Sequence, residues 1–103
     1  MTEEGPTIDV RTVPGPVTIE LPEAPSTGYE WQLADAPPGV RVVGSEFAPP
    51  GESGRVGGAG VRAFRLEVDS PGRHELQFLL RRPWEEHALE RRRATLIVGD
   101  PGV

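Results

Sequence analysis

The chain contains no cysteine and no lysine. Without cysteine, disulfide bonds, thiol catalysis and cysteine-ligated zinc are excluded, and the sequence carries no redox signal for a compartment. The 11 basic residues are all arginine, and the formal net charge is −5. An acidic domain is a poor candidate for binding nucleic acid, because counterion release from the phosphate backbone needs a basic footprint.

Long apolar runs are also missing. No stretch approaches the ~18 apolar residues of a membrane-spanning helix, so we expect no membrane partner. The first residues, Met1 to Pro6, are acidic and lack the basic and apolar regions of a signal peptide. Two locations stay open on this basis: the cytoplasm, or secretion of a mature form whose leader has been removed.

Glycine and proline, in contrast, are abundant, with 13 and 12 copies in 103 residues. This composition favours many short strands joined by turns over long helices. The length suits a single domain, residues 1–103, whose core we expect at about 7–98.

Period-two alternation of apolar residues is the main structural signal. The apolar runs lie at residues 8–13, 17–21, 31–33, 40–47, 64–68, 76–80 and 94–98. We expect Pro22 to end the second run and Pro83 to end the sixth, and residues 84–91 permit a helical turn as an alternative. Seven or eight short strands of this kind predict an all-β fold, an immunoglobulin-like antiparallel β-sandwich without the cysteine pair of antibody domains.

Three segments have compositions that are unusual for a plain turn. The first, residues 24–31, reads Ala-Pro-Ser-Thr-Gly-Tyr-Glu-Trp. Its proline fixes one φ angle, the hydroxyls of Ser26 and Thr27 can bond nearby backbone, and Gly28 permits a positive φ. We expect a rigid loop that presents two hydroxyls.

The second segment is Gly57-Gly58-Ala59-Gly60, which lies a few residues before Phe64. From its glycine content we expect a mobile loop at 51–60. Backbone without side chains can approach another chain closely and offer its N–H and C=O groups. A phosphate-binding glycine loop is excluded by context, because no helix start and no lysine follows.

The third segment is Arg82-Pro83-Trp84-Glu85, where the tryptophan falls outside the strand alternation and is expected to be exposed. Exposed tryptophan beside arginine is enriched at binding hot spots. Tyr29 and Trp31, in contrast, open a strand and are expected to pack in or beside the core. Taken singly, each of the three segments also fits a plain role: a turn, a linker, or a tryptophan folded over the sandwich.

The three segments occur in the order and spacing of the chagasin-type inhibitors of papain-like cysteine peptidases. The sequence resembles that family in a Pro-x-Thr-Gly-aromatic-x-Trp loop, a glycine-rich loop before x-x-x-Phe, and Arg-Pro-Trp. The resemblance spans residues 17–98. Ala24, Ser26 and Ala59 depart from it, where the family has Asn, Thr and Gly. We expect weaker affinity or a changed choice of target from these departures.

This resemblance implies a reversible, non-catalytic inhibitor that acts as a monomer, uses no cofactor or metal and fills the peptidase cleft with three loops. By the resemblance, Pro25, Ser26, Thr27 and Gly28 cover the catalytic Cys and His of the enzyme. Gly57, Gly58, Ala59 and Gly60 pair with one arm of the cleft through their backbone. Arg82, Pro83 and Trp84 grip the other arm.

Three other functions are alternatives to this one. An enzyme or a metal site would need His74 or His87, which have no partner at close spacing and are expected to be solvated. A non-inhibitory immunoglobulin-like binding or structural module stays possible, because fold alone does not fix function. Arginines at 81–82 and 91–93 lie among glutamates, which indicates a mixed-charge surface and no nucleic-acid partner.

Overall fold

The structure, a computed structural model, describes residues 2–49 and 60–100. In these residues the chain forms eight β-strands, one short 3₁₀ turn and no α-helix. The strands are β1 (Glu3–Glu4), β2 (Ile8–Thr12), β3 (Gly15–Glu23), β4 (Glu30–Asp35), β5 (Val40–Ala48), β6 (Gly60–Val68), β7 (Gly72–Arg81) and β8 (Glu90–Val98). The 3₁₀ turn is Pro25–Thr27. Within the described part, no helix is long and apolar enough to cross a membrane.

The strands form two sheets. One is a three-stranded sheet in the order β3-β6-β5, and the other is a five-stranded sheet in the order β1-β8-β7-β4, with β2 also paired to β8. Neighbouring strands are antiparallel except for β1 and β2, which run parallel to β8. The expected all-β sandwich is confirmed. The parallel pairs at its N-terminal edge add to this antiparallel pattern.

One apolar core lies between the two sheets. Alternate residues of β3, β6, β7 and β8 supply most of it, as period-two alternation requires. At its centre the rings of Phe64 and Phe78, one from each sheet, have centroids 5.0 Å apart. The buried members are Val17, Ile19, Leu21, Trp31, Val40, Phe64, Leu66, Val68, Leu76, Phe78, Ala94, Leu96 and Val98.

One local expectation is wrong, the end of the second strand at Pro22, and two further details are noteworthy. β3 continues through Pro22 to Glu23, because β3 is an edge strand and sheet edges tolerate proline. Val42 and Val43 are both exposed, since β5 carries a bulge between Val42 and Gly44 that breaks the alternation. The alternative of a helical turn at 84–91 is not realised, because residues 82–89 form a non-helical connection and β8 begins at Glu90.

The expectation that both histidines are solvated is right for His87 and wrong for His74. His87 is exposed in the connection after β7. His74 is only 8% exposed, because it occupies the core-facing position two residues before Leu76 in β7. Its Nε2 donates to the carbonyl oxygen of Ser70 at 2.9 Å, which satisfies the buried ring. The burial of His74 is therefore structural.

The core predicts a large loss of stability on truncation of Phe78, whose side chain is 0% exposed. Phe78→Ala removes the aromatic contact to Phe64 and leaves a cavity, so the free energy of unfolding should fall by about 3–5 kcal/mol. Denaturation in urea measures this. A loss below about 1 kcal/mol would contradict the placement of Phe78 at the centre of the core.

Candidate functional site

The strand registers bring the ends of six strands to one pole of the sandwich, called here the loop end. Glu23 at the end of β3 pairs with Gly60 at the start of β6, and Ala48 at the end of β5 pairs with Val61. In the other sheet, Glu30 at the start of β4 pairs with Arg81 at the end of β7. Consequently residues 24–29 and 82–89 lie at the loop end. Ala48 and Gly60, the residues that flank 49–59, lie there too.

Residues 24–29, called loop A, form a compact turn. The hydroxyl of Thr27 donates to the carbonyl oxygen of Ala24 at 2.7 Å and accepts from the backbone N–H of Tyr29 at 3.3 Å. Gly28 has a φ of +82°, which L side chains rarely adopt. The expected backbone bonding of Thr27 and positive φ of Gly28 are thus confirmed. Ser26 is exposed, while the Thr27 hydroxyl is occupied within the loop.

Residues 82–89, called loop B, connect β7 to β8. The loop turns sharply at its start, where the N–H of Glu85 donates to the carbonyl oxygen of Arg82 at 3.0 Å. It closes where the N–H of Leu89 donates to the carbonyl oxygen of Leu80 at 2.8 Å. Trp84 lies on the outside of the turn and is 73% exposed. The expected exposure of Trp84 is therefore confirmed, and the alternative of a tryptophan folded over the sandwich is wrong.

Arg82 joins the two loops. Its Nε donates to the carbonyl oxygen of Thr27 at 3.1 Å, and its guanidinium carbon lies 4.4 Å from the ring centroid of Tyr29. The same guanidinium lies 5.9 Å from the ring centroid of Trp84 and pairs with Glu85 at 3.2 Å. One cation therefore bonds the backbone of loop A and contacts an aromatic ring from each loop.

The two loops also meet directly. A Cβ built on Gly28 would lie 3.2 Å from Cη2 of Trp84, so the indole packs over the glycine. Because Gly28 has no side chain, it can adopt the positive φ of the turn and also leave room for the indole of Trp84. Loops A and B form one continuous surface at the loop end.

A buried glutamate and a half-buried arginine lie beneath loop A, and the sequence analysis predicted neither. Glu23 is 3% exposed and pairs with Arg62 of β6, whose Nη2 lies 2.8 Å from Oε2 of Glu23. Oε1 of Glu23 also accepts from the backbone N–H of Trp31 at 2.8 Å. Period-two alternation could have predicted that both face the core. Glu23 lies two residues after Leu21, and Arg62 lies two residues before Phe64.

Trp31 is in the core, as expected, with 4% exposure and its indole N–H donating to the carbonyl oxygen of Pro22 at 2.7 Å. Tyr29 differs from the expectation, because it precedes β4 and lies half-buried in loop A.

The structure brings together the expected site residues of the first and third segments. Among those of the second segment, Gly57, Gly58 and Ala59 lie outside the described residues. Gly60 lies in β6 rather than in a loop and is buried. A Cβ on Gly60 would lie 2.5 Å from the carbonyl oxygen of Ala48 and would overlap the ring of Phe47. Packing therefore accounts for glycine at position 60.

Charged side chains bear on the metal and nucleic-acid alternatives. In the part of the chain that the structure describes, no group of three or more His, Asp or Glu could hold a metal ion. Among the arginines of the two runs, Arg82 and Arg92 bond glutamates, and Arg81 bonds Gln32. The expected mixing of charge is therefore present in these contacts.

Comparison with known proteins places the chain in a family. The model of the chagasin family of peptidase inhibitors matches residues 13–98. The chain belongs to the chagasin family. It is an inhibitor family, so the expectation that the chain is not an enzyme is confirmed. The comparison with curated proteins found no match.

Solved structures share the fold of this chagasin-family chain. The cysteine protease inhibitor EhICP2 from Entamoeba histolytica has a TM-score of 0.67 at 24% identity, over 95% of this chain and 88% of that one. Amebosin has a TM-score of 0.62 at 20% identity, over 92% of this chain and 100% of that one. PbICP-C, solved in complex with falcipain-2, has a TM-score of 0.64 at 18% identity, over 95% of this chain and 91% of that one.

The geometry of loop A predicts that Gly28→Ala destabilises the protein. An alanine at a positive φ costs about 1 kcal/mol, and its methyl group would press on the indole of Trp84. Gly99→Ala is the matched control, because the nearest atom to a Cβ there lies at 3.8 Å, an ordinary contact. Urea denaturation should show a lower midpoint for Gly28→Ala only. Equal midpoints would contradict the turn geometry.

Proposed function

We propose that this chagasin-family chain is a reversible, tight-binding inhibitor of papain-like cysteine peptidases that occludes the active-site cleft with loops at the loop end. Family membership supports the inhibitory activity. The target class is supported by the structural relatives, since EhICP2 is a cysteine protease inhibitor and PbICP-C was solved bound to falcipain-2.

The observation that carries the proposal is the joined surface of loops A and B. Thr27, Gly28, Arg82 and Trp84 come from positions far apart in sequence and meet through direct contacts. A loop pair fixed in this way loses little conformational entropy when a partner binds. Ser26 and Trp84 point outward from it, which suits a ridge that enters a groove.

Each of the three sequence segments has a role in this proposal. Pro25, Ser26, Thr27 and Gly28 cover the catalytic Cys and His of the peptidase. Residues 57–59 run their backbone along one arm of the cleft. Pro83 and Trp84 contact the other arm, with Trp84 as the desolvated anchor.

Arg82 has a different role from the one its motif implies. Its guanidinium already bonds the carbonyl oxygen of Thr27 and the carboxylate of Glu85. In the proposal Arg82 therefore presents Trp84 to the peptidase, while also adding positive charge near the contact. The complex contains one monomer of inhibitor and one peptidase.

Reversibility follows from the shape of loop A. Its backbone is folded into a 3₁₀ turn, with the N–H of Thr27 donating to the carbonyl oxygen of Ala24 at 3.1 Å. A peptidase cleft binds substrate in an extended conformation, so this turn offers no peptide bond in the register for attack. The inhibitor should leave the enzyme uncleaved.

Titration into papain tests the proposal. Hydrolysis of a small peptide substrate should fall in proportion to added inhibitor and stop near equal concentrations. Dilution should restore activity, and mass spectrometry should find the chain intact. No loss of activity with papain or with a panel of cathepsin-like peptidases would contradict the proposal.

Truncation of the anchor gives a sharper result. Trp84→Ala should weaken inhibition at least about tenfold, because loss of a desolvated aromatic anchor commonly costs ~2 kcal/mol or more. The fold should be unaffected, since Trp84 is 73% exposed. The measurement is the inhibition constant against papain.

The control for this variant is Val13→Ala. Val13 is 52% exposed and precedes β3 at the pole opposite the loop end. Its truncation should leave the inhibition constant unchanged. If Trp84→Ala inhibits as well as the control, Trp84 is not the anchor.

A further inference from the structure

Glu23 occupies a position where the sequence pattern calls for an apolar residue. In β3 the core-facing positions are Val17, Ile19, Leu21 and then Glu23, whose carboxylate side chain is 1% exposed. A carboxylate is costly to bury unless it is paired and hydrogen-bonded. Core packing alone therefore does not explain a glutamate at the base of loop A.

The first contact of Glu23 closes loop A. Glu23 ends β3 in the three-stranded sheet, and Trp31 lies in β4 of the five-stranded sheet. β4 is an edge strand, and the N–H of Trp31 donates to Oε1 of Glu23 at 2.8 Å. This bond joins the residues on either side of the loop and crosses between the two sheets.

The second contact reaches the root of the β5–β6 connection. Nε and Nη2 of Arg62 donate to Oε2 of Glu23 at 3.2 and 2.8 Å, a charge-assisted pair with fixed geometry. The same guanidinium lies 5.6 Å from the ring centroid of Phe47, next to Ala48 at the end of β5. Arg62 thus links the base of loop A to Phe47, near the end of β5.

We propose that Glu23 and Arg62 are positioning residues for the inhibitory surface: they fix the base of loop A against β6 and the end of β5. Neither residue is exposed enough to be a main contact for a peptidase. Removing the carboxylate leaves a folded sandwich whose loop A is no longer fixed at its base. This inference rests on the proposed function.

The test uses Glu23→Met, which keeps the length of the side chain and removes the acceptor. Glu23→Gln is the conservative variant, because its amide oxygen can still accept from the N–H of Trp31. Glu46→Met is the matched control: Glu46 pairs with Arg65 at 3.0 Å, but its side chain is 66% exposed on the same sheet. Exposed pairs of this kind contribute little.

Amide hydrogen exchange of the free inhibitor is the first measurement. In Glu23→Met the N–H of Trp31 should exchange at least about tenfold faster than in the unsubstituted chain, while Leu66 and Phe78 in the core keep their rates. Glu23→Gln should fall between the two, and Glu46→Met should match the unsubstituted chain. A uniform acceleration across the core would show a general loss of stability and overturn the positioning role.

Inhibition of papain is the second measurement, at a temperature where circular dichroism shows each variant fully folded. Stability then does not enter the inhibition constant. Glu23→Met should raise that constant at least about tenfold and Glu46→Met less than about twofold. Glu23→Met that is folded and inhibits normally would overturn the inference.

The two proposals fail separately. If the unsubstituted chain does not inhibit any papain-like peptidase, the proposed function fails. The exchange rate of the Trp31 amide, measured without a peptidase, then still decides whether Glu23 fixes loop A.

Discussion

The candidate site depends on the hydrogen bond from the guanidinium of Arg82 to the carbonyl oxygen of Thr27. A loop on its own fixes few of its backbone groups, and a sandwich end made of separate loops would present no defined surface. Here one charged side chain bonds the backbone of loop A, contacts Tyr29 and lies beside Trp84. Because a charge-assisted bond is stronger than a neutral one, the two loops are fixed relative to each other before any partner arrives.

Beneath this surface, charged side chains again bond the backbone and each other. Glu23 bonds the backbone N–H at the far end of loop A, and Arg62 neutralises it. Arginines are suited to both tasks, since their planar donors stay charged and can bond two acceptors while stacking on a ring. Two of the eleven arginines thus supply groups that order the loop end.

Much of the fold was predictable, because alternation in β3, β6, β7 and β8 reports directly on a half-buried sheet. Loop A and the exposure of Trp84 were also predictable, since glycine, threonine and proline act locally. The rest depends on contacts that are distant in sequence. Burial of His74 and Glu23 follows from extending the alternation over polar residues, and the parallel pairing of β2 with β8 leaves no local signal. The hydrogen bond from Arg82 to loop A could not be predicted, because its partner, Thr27, lies far away in the chain.

The central claim is that loops A and B contact a peptidase together, and hydrogen exchange on the inhibitor bound to papain tests it most directly. The account predicts slower exchange in residues 24–29 and 82–85 upon binding, with no change at the opposite pole, in the turn at 69–72. Protection of only one of the two loops, or protection centred on the opposite pole, would contradict it.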